Sequence, residues 1–326
     1  MDGKARRAAG VMASLGPNTL ACAGRRSNPS MTPARPILVT GGTGQLASAL
    51  ASQAGILRVG RPDFDFDQPD TIEAAFQAAA PRIVVNAAAY TAVDAAESNA
   101  DAAYRTNRDG PAILAGLCAA ANIPFIHVST DYVFDGTKPE PYVETDPVAP
   151  QGVYGASKLA GEDAVMASGA NAIILRTAWV YAATGKNFVR TMLAAGKTRD
   201  RLTVVADQHG CPTTATDLSD AILAIVERID RTGWRPAYGG IFHAAGTGAT
   251  TWHGLAVATF EEAARHGTRM PEIVPIATAD WPTPAKRPAN SRLDCTRLHQ
   301  VFGIRLPPWR ESLTPTVDTI FATAPP

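Results

Sequence analysis

The sequence has no excess charge of either sign: 30 Lys and Arg stand against 30 Asp and Glu among 326 residues, a formal net charge of zero. That balance argues against nucleic acid as the main partner, since a phosphate backbone is held by a basic surface. Cysteine is scarce. The four, Cys22, Cys118, Cys211 and Cys295, contain no C-x-x-C pair, so neither a disulfide framework nor a zinc site is expected. Long hydrophobic runs are missing too, with no apolar stretch near the ~20 residues of a membrane span. The expectation is a protein of the cytoplasm. What the chain does have is 46% apolar residues, enough for a large core in one domain with a smaller lobe, or in two domains.

The first 35 residues lack apolar periodicity. Lys4, Arg6, Arg7, Arg25, Arg26 and Arg35 face only Asp2 there. A basic start followed by Ala8 to Gly16 faintly resembles a secretory signal, but glycines and Pro17-Asn18 interrupt its apolar region. Met31 offers an alternative start, because Met31-Thr-Pro-Ala-Arg leads straight into an apolar run. Residues 1–35 are therefore expected to be a basic, disordered extension outside the fold.

From Pro36 onward short apolar runs alternate with helical patterns. Ile37–Thr40, Ile56–Val59, Ile83–Asn86, Phe125–Ser129 and Ala172–Arg176 read as strands buried on both faces. Residues 45–54, 69–80, 100–121 and 152–167 read as the helices between them. This order specifies an α/β fold, a doubly wound parallel sheet of Rossmann type. Beyond Trp179 the alternation becomes irregular, and a smaller C-terminal substrate-binding lobe is expected. The division is residues 36–180 with about 214–242 for dinucleotide binding, and 181–213 with 243–326 for the lobe.

A glycine-rich turn falls where such a fold binds phosphates. Thr40-Gly41-Gly42-Thr43-Gly44-Gln45-Leu46-Ala47 closes the first strand and opens a helix. Gly41 allows the tight turn, Gly44 lets backbone approach a pyrophosphate, and the small Ala47 allows close helix packing. About a hundred residues later comes Tyr154-Gly155-Ala156-Ser157-Lys158. On a helix, i and i+4 share a face, so the Lys158 ammonium is expected beside the Tyr154 phenol, lowering its pKa towards proton transfer near neutral pH. By itself Y-x-x-x-K is a weak signal, since an ordinary surface helix often supplies it. His127, inside a strand, reads as a hydrogen-bonded core residue.

Four blocks occur in order: Gly41-x-x-Gly44-Gln45-Leu46, Val85-Asn86-Ala87-Ala88-Ala89-Tyr90-Thr91-Ala92-Val93-Asp94, Ser129-Thr130-Asp131-Tyr132-Val133-Phe134-Asp135-Gly136 and Tyr154-Gly155-x-x-Lys158-Leu159. With Arg176 to Tyr181, Asp207 to Thr213 and Arg287-Pro288-x-Asn290-Ser291, they make residues 36–320 resemble the extended short-chain dehydrogenase/reductases. Within these they resemble the dTDP-4-dehydrorhamnose reductase family. The resemblance implies reduction of a dTDP-linked 4-keto-6-deoxysugar by NAD(P)H, with Tyr154 giving the proton, Lys158 holding the nicotinamide ribose and Thr130 bonding the substrate carbonyl. It implies cofactor contacts from Gly41, Gly44, Gln45, Leu46, Asp65, Phe66, Ala89, Tyr90 and Thr91. It also implies substrate contacts from Val93, Asp131, Tyr132, Trp179 and Arg287, and allows a homodimer. Some members bind Mg²⁺ through a glutamate on the first helix; the position here is Ala49, which puts that metal in doubt.

The second strand runs into Gly60-Arg61-Pro62 with no carboxylate until Asp63. Arg61, helped by Arg58, is therefore expected to meet a 2′-phosphate and favour NADPH, with NADH still accepted. Two other readings share these motifs. One is a non-catalytic subunit resembling the regulatory β subunit of methionine adenosyltransferase, and the other a nucleotide-sugar epimerase or dehydratase. Intact Thr130, Tyr154 and Lys158 favour catalysis.

Overall fold

The computed structural model describes residues 35–323. The expected basic extension lies outside them except for Arg35, and so does Cys22. The first half of the chain forms β1 (Ile37–Thr40), α1 (Gln45–Leu50), β2 (Ile56–Val59), α2 (Pro69–Ala79), β3 (Ile83–Asn86), α3 (Val93–Ala96) and α4 (Ala100–Tyr104). A π-helical turn (Arg105–Asp109) leads into α5 (Gly110–Ala120), followed by β4 (Phe125–Thr130), α6 (Val153–Ala167) and β5 (Ala172–Thr177). The remainder forms β6 (Val180–Tyr181), α7 (Phe188–Gly196), β7 (Arg201–Val205), β8 (His209–Gly210), β9 (Thr213–Thr214), α8 (Ala215–Thr232) and β10 (Gly240–His243). It ends with β11 (Thr250–Thr251), α9 (Trp252–Ala264), β12 (Glu272–Ile276), β13 (Asn290–Ser291), α10 (Thr296–Phe302) and α11 (Trp309–Thr323).

Six strands pair in parallel in the order β10-β5-β4-β3-β1-β2. Their side chains alternate between two cores. Ile37, Val39, Val85, Ile173 and Leu175 pack with α1, α8 and α10, whereas Leu38, Val84, Phe125 and Ile174 pack with α2, α5 and α6. Helices thus cover both faces, as parallel sheets require. The order reverses between β1 and β3, and this switch point opens a crevice at the strands' carboxyl ends.

Three expectations need correction. Strand β2 is not buried on both faces: it is the sheet edge, where Leu57 and Arg58 are exposed. The first helix stops at Leu50, short of residue 54, as the Ser52 hydroxyl donates to the Ala49 carbonyl at 2.7 Å and competes with helical bonding. The single helix expected over 100–121 is interrupted by the π turn, after which the Phe66 ring lies 2.2 Å from where a Cβ on Gly110 would sit.

After β5 the chain leaves the sheet, and α7, α9 and α11 close a separate core around Tyr181, Leu193, Leu255, Phe260 and Leu313. A parallel β7–β12 pair flanks them. Between these pieces α8 returns to the main sheet, and β10 joins its edge beside β5.

Candidate active site

Four segments meet above the switch point. The turn after β1 brings Gly41 to φ +115°, and a Cβ there would lie 3.1 Å from the carbonyl of Ala87 in the turn after β3. Glycine is needed for conformation and for space alike. The turn after β2 packs on the same loop: a Cβ on Gly60 would come within 2.4 Å of the Gly42 Cα. The fourth segment is Thr130 to Tyr132, at the end of β4. Together they line one cleft of ≈1120 Å³, more than the roughly 300–1,000 Å³ of single-ligand pockets and room for two ligands side by side.

Along this cleft lie Gly41, Gly44, Gln45 and Leu46 from the first turn, Arg58 and Arg61 from the second, and Asp65 and Phe66 beyond it. Ala89, Tyr90, Thr91 and Val93 follow β3. Thr130, Asp131, Tyr132, Tyr154, Lys158 and Trp179 form its far end. Every site residue chosen from the sequence is therefore on the cleft wall except Arg287. That guanidinium forms a fork with Asp94, at 2.7 and 2.9 Å, and ties the loop before β13 to α3. Arg61 reaches the wall but is already paired, 2.9 Å from Asp65 and 2.7 Å from Asp67, with its side chain 65% exposed.

Tyr154 and Lys158 do share one face of α6, but the expected ammonium–phenol pairing is not what forms. Lys158 Nζ donates to the Val128 carbonyl at 2.7 Å and lies 3.4 Å from His127 Nε2, so the chain reaches across to β4. Burial pushes the Tyr154 phenol up to about 12, and the Thr130 hydroxyl offsets only part of that. Burial likewise brings Lys158 down to about 8, against the opposing pull of Glu162. At neutral pH the phenol keeps its proton, as a donor must. Thr130 is engaged within the protein: its hydroxyl donates to the Asp131 carboxylate at 3.0 Å and accepts from the Tyr132 N–H at 3.2 Å. Asp131 is buried, and its Oδ2 has no hydrogen-bond partner. Its carboxyl is raised to about 6, chiefly by that burial.

Several contributors carry no local sequence signal. Trp252 stacks on Trp179 at 3.5 Å and 6°, making a double aromatic wall from residues 73 positions apart. Asn107, inside the π turn, accepts from the Tyr90 N–H at 2.8 Å and donates to the Ser157 hydroxyl at 2.9 Å, joining the β3 turn to α6. Glu162 accepts from Ser129 on β4 at 2.5 Å and forms a 2.6 Å ion pair with Arg176 on β5. This clamp fixes α6, and with it Tyr154 and Lys158, to the sheet. Only the spacing of Tyr154, Lys158 and Glu162 at intervals of four could have pointed to it.

The family model described as RmlD substrate binding domain matches residues 35–321. A Sinorhizobium fredii protein named dTDP-4-dehydrorhamnose reductase is 48% identical over 280 residues, covering 85% of this chain and 94% of its own length. One of the same name from Burkholderia thailandensis is 44% identical, covering 84% and 95%. Among solved structures, a dTDP-4-dehydrorhamnose reductase from Clostridium acetobutylicum superposes with a TM-score of 0.81 at 36% identity, covering 87% of this chain and 99% of that one. Another, from Bacillus anthracis in complex with NADP, has a TM-score of 0.79 at 31% identity, covering 87% and 98%. The chain belongs to the dTDP-4-dehydrorhamnose reductase family.

Proposed function

We propose that this protein reduces the 4-keto group of dTDP-4-dehydro-L-rhamnose to dTDP-L-rhamnose. The observation that carries the reading is that the glycine turn and the Tyr154, Lys158 and Thr130 cluster share one continuous cleft. The glycine turn and the β2 end fit the pyrophosphate and adenosine half of a dinucleotide, and Lys158 fits its nicotinamide ribose. When bound, NAD(P)H supplies the hydride. Tyr154 gives the proton to the carbonyl oxygen, and Thr130, once it releases Asp131, hydrogen-bonds that oxygen as charge develops. Trp179 and Trp252 wall the sugar and exclude water. The test is direct: dTDP-4-dehydro-L-rhamnose and NADPH are mixed with the protein and the absorbance of the reduced cofactor is followed. No consumption of NADPH refutes the reading.

Because Lys158 is taken to act as its ammonium, kcat/KM for NADPH is expected to be flat below neutrality and to fall as pH rises through about 8. A profile flat to pH 10 would show that the lysine charge is not required.

The cofactor is NADPH in preference to NADH, through Arg61. Its guanidinium must leave two carboxylates to meet a 2′-phosphate, which limits the gain to about tenfold, or about 1.4 kcal/mol. Arg61→Ala is expected to equalise kcat/KM for the two cofactors, and a preference that survives the change would remove Arg61 from the assignment.

A further inference from the structure

Beneath the cleft, Thr40 on β1, Asn86 on β3 and His127 on β4 form a chain of hydrogen bonds whose last member, the His127 ring, faces Lys158. All four residues are buried, at 0% exposure for the first three and 1% for Lys158. The Thr40 hydroxyl donates to Asn86 Oδ1 at 2.5 Å, and the Ala88 N–H faces the same oxygen at 3.3 Å. The Ala88 N–H, which lies 3.3 Å from Thr40 Oγ1 as well, decides which end of the amide is oxygen: the reverse orientation would turn the NH₂ group against that backbone N–H. Asn86 Nδ2 therefore lies on the other side, 2.9 Å from His127 Nδ1. An amide nitrogen can only donate, so Nδ1 accepts. A neutral imidazole with a bare Nδ1 carries its proton on Nε2, the atom 3.4 Å from Lys158 Nζ.

We propose that Thr40 and Asn86 fix His127 as its Nε2–H tautomer, and that His127 is thereby a positioning residue for Lys158, presenting to it a hydrogen-bond donor where an acceptor would hold the ammonium. The consequence is chemical. An ammonium has three protons and no lone pair, so it cannot bond to an N–H, whereas a neutral amine can accept from one. The ring accordingly favours loss of the Lys158 proton. It also leaves the Val128 carbonyl as the strand's acceptor for the ammonium, at 2.7 Å, with the other donors free for the cleft. His127 itself stays neutral, its basicity depressed by burial first and by the Lys158 charge second. The other titratable groups around Lys158 are Tyr154 and Glu162 on its own helix and Arg176 of β5, which holds Glu162. Asp131 lies beyond the end of β4 and acts on Tyr154. The variants below leave all of them in place.

The tautomer can be read without turnover, so it stands apart from the reduction proposed above, on which the kinetic half of the inference rests. Long-range ¹H–¹⁵N correlation spectra of the ¹⁵N-histidine-labelled protein should show His127 with Nε2 protonated and Nδ1 bare, unchanged from pH 6 to 9. A His127 with Nδ1 protonated, or titrating in that range, overturns the proposal. Asn86→Asp replaces the donor facing Nδ1 with an acceptor and should move the proton to Nδ1. If the spectrum keeps Nε2–H in a folded Asn86→Asp protein, Asn86 does not set the tautomer and the proposal fails. His127→Phe keeps a buried ring but removes the opposed N–H. Its alkaline limb in kcat/KM for NADPH should rise by about half a pH unit or more relative to wild type. A lowered rate with the limb unmoved would make His127 a packing residue only. Wild type that shows the Nε2–H tautomer but reduces no substrate would refute the function and leave the tautomer assignment intact.

Discussion

Tyr154→Phe is expected to lower kcat by about 10²- to 10⁴-fold, the range for loss of a general acid, with little change in dinucleotide affinity or Tm. The substitution removes one oxygen. The ring that remains keeps its edge-on packing against Tyr132, with centroids 5.4 Å apart, so the cleft wall is preserved. What disappears is the proton source. Because burial raises the phenol to about 12, Tyr154 is protonated throughout the neutral range, and its proton leaves only when negative charge develops on a nearby oxygen. The rate loss should therefore be uniform from pH 6 to 8, with no new limb. Turnover at the wild-type rate would exclude Tyr154 as the acid, and a drop confined to NADPH affinity would make it a binding residue. Thr130 neighbours the same hydroxyl but is committed to Asp131, so it cannot replace the lost donor without breaking that bond.

Arg176→Met should destabilise the protein by about 3–5 kcal/mol, the cost of leaving a buried charge without its partner. Glu162 and Arg176 have side chains only 2% exposed, and they meet through a 2.6 Å contact and a second donor, Nε, at 3.0 Å. Methionine fills much of the arginine's volume, so the loss reports the stranded Glu162 carboxylate more than a cavity. The double variant Glu162→Leu with Arg176→Met should recover a large part of the stability, since removing both charges abolishes the uncompensated one. Thermal or urea unfolding of the wild type and the two variants decides it. Equal destabilisation in the single and double variants would show that the pair's packing, not its charge, holds α6. Activity should fall in each, because Ser129 and Arg176 anchor through Glu162 the helix that carries Tyr154 and Lys158.

Much of the fold was legible because its signals are local. Unbroken apolar runs such as Ile83–Asn86 mark strands with both faces covered, and such runs bounded by helical patterns leave a parallel sheet as the economical solution. The glycine turn was legible for a similar reason, since a φ of +115° at Gly41 excludes other side chains at low cost. Edge position is different. Ile56–Val59 is apolar apart from Arg58, yet it ends the sheet, because among the described residues no later segment pairs on that side. The π turn at Arg105–Asp109 was equally hidden: its residues suit an ordinary helix, and within it Asn107 is held by Tyr90 and Ser157.

By itself the sequence determined the strand and helix order, the phosphate-binding turn and the placing of Tyr154 and Lys158 on one helix face. These depend on residues close in the chain, whose backbone preferences and periodicity act before any tertiary contact forms. Tertiary structure alone decided what those side chains do. Whether the Lys158 ammonium turns to Tyr154 or to β4, what stands opposite Trp179 and what holds Arg287 all depend on groups dozens of residues away or more. Their effects come from burial and from hydrogen-bond distance, and neither exists until the chain has closed around the site.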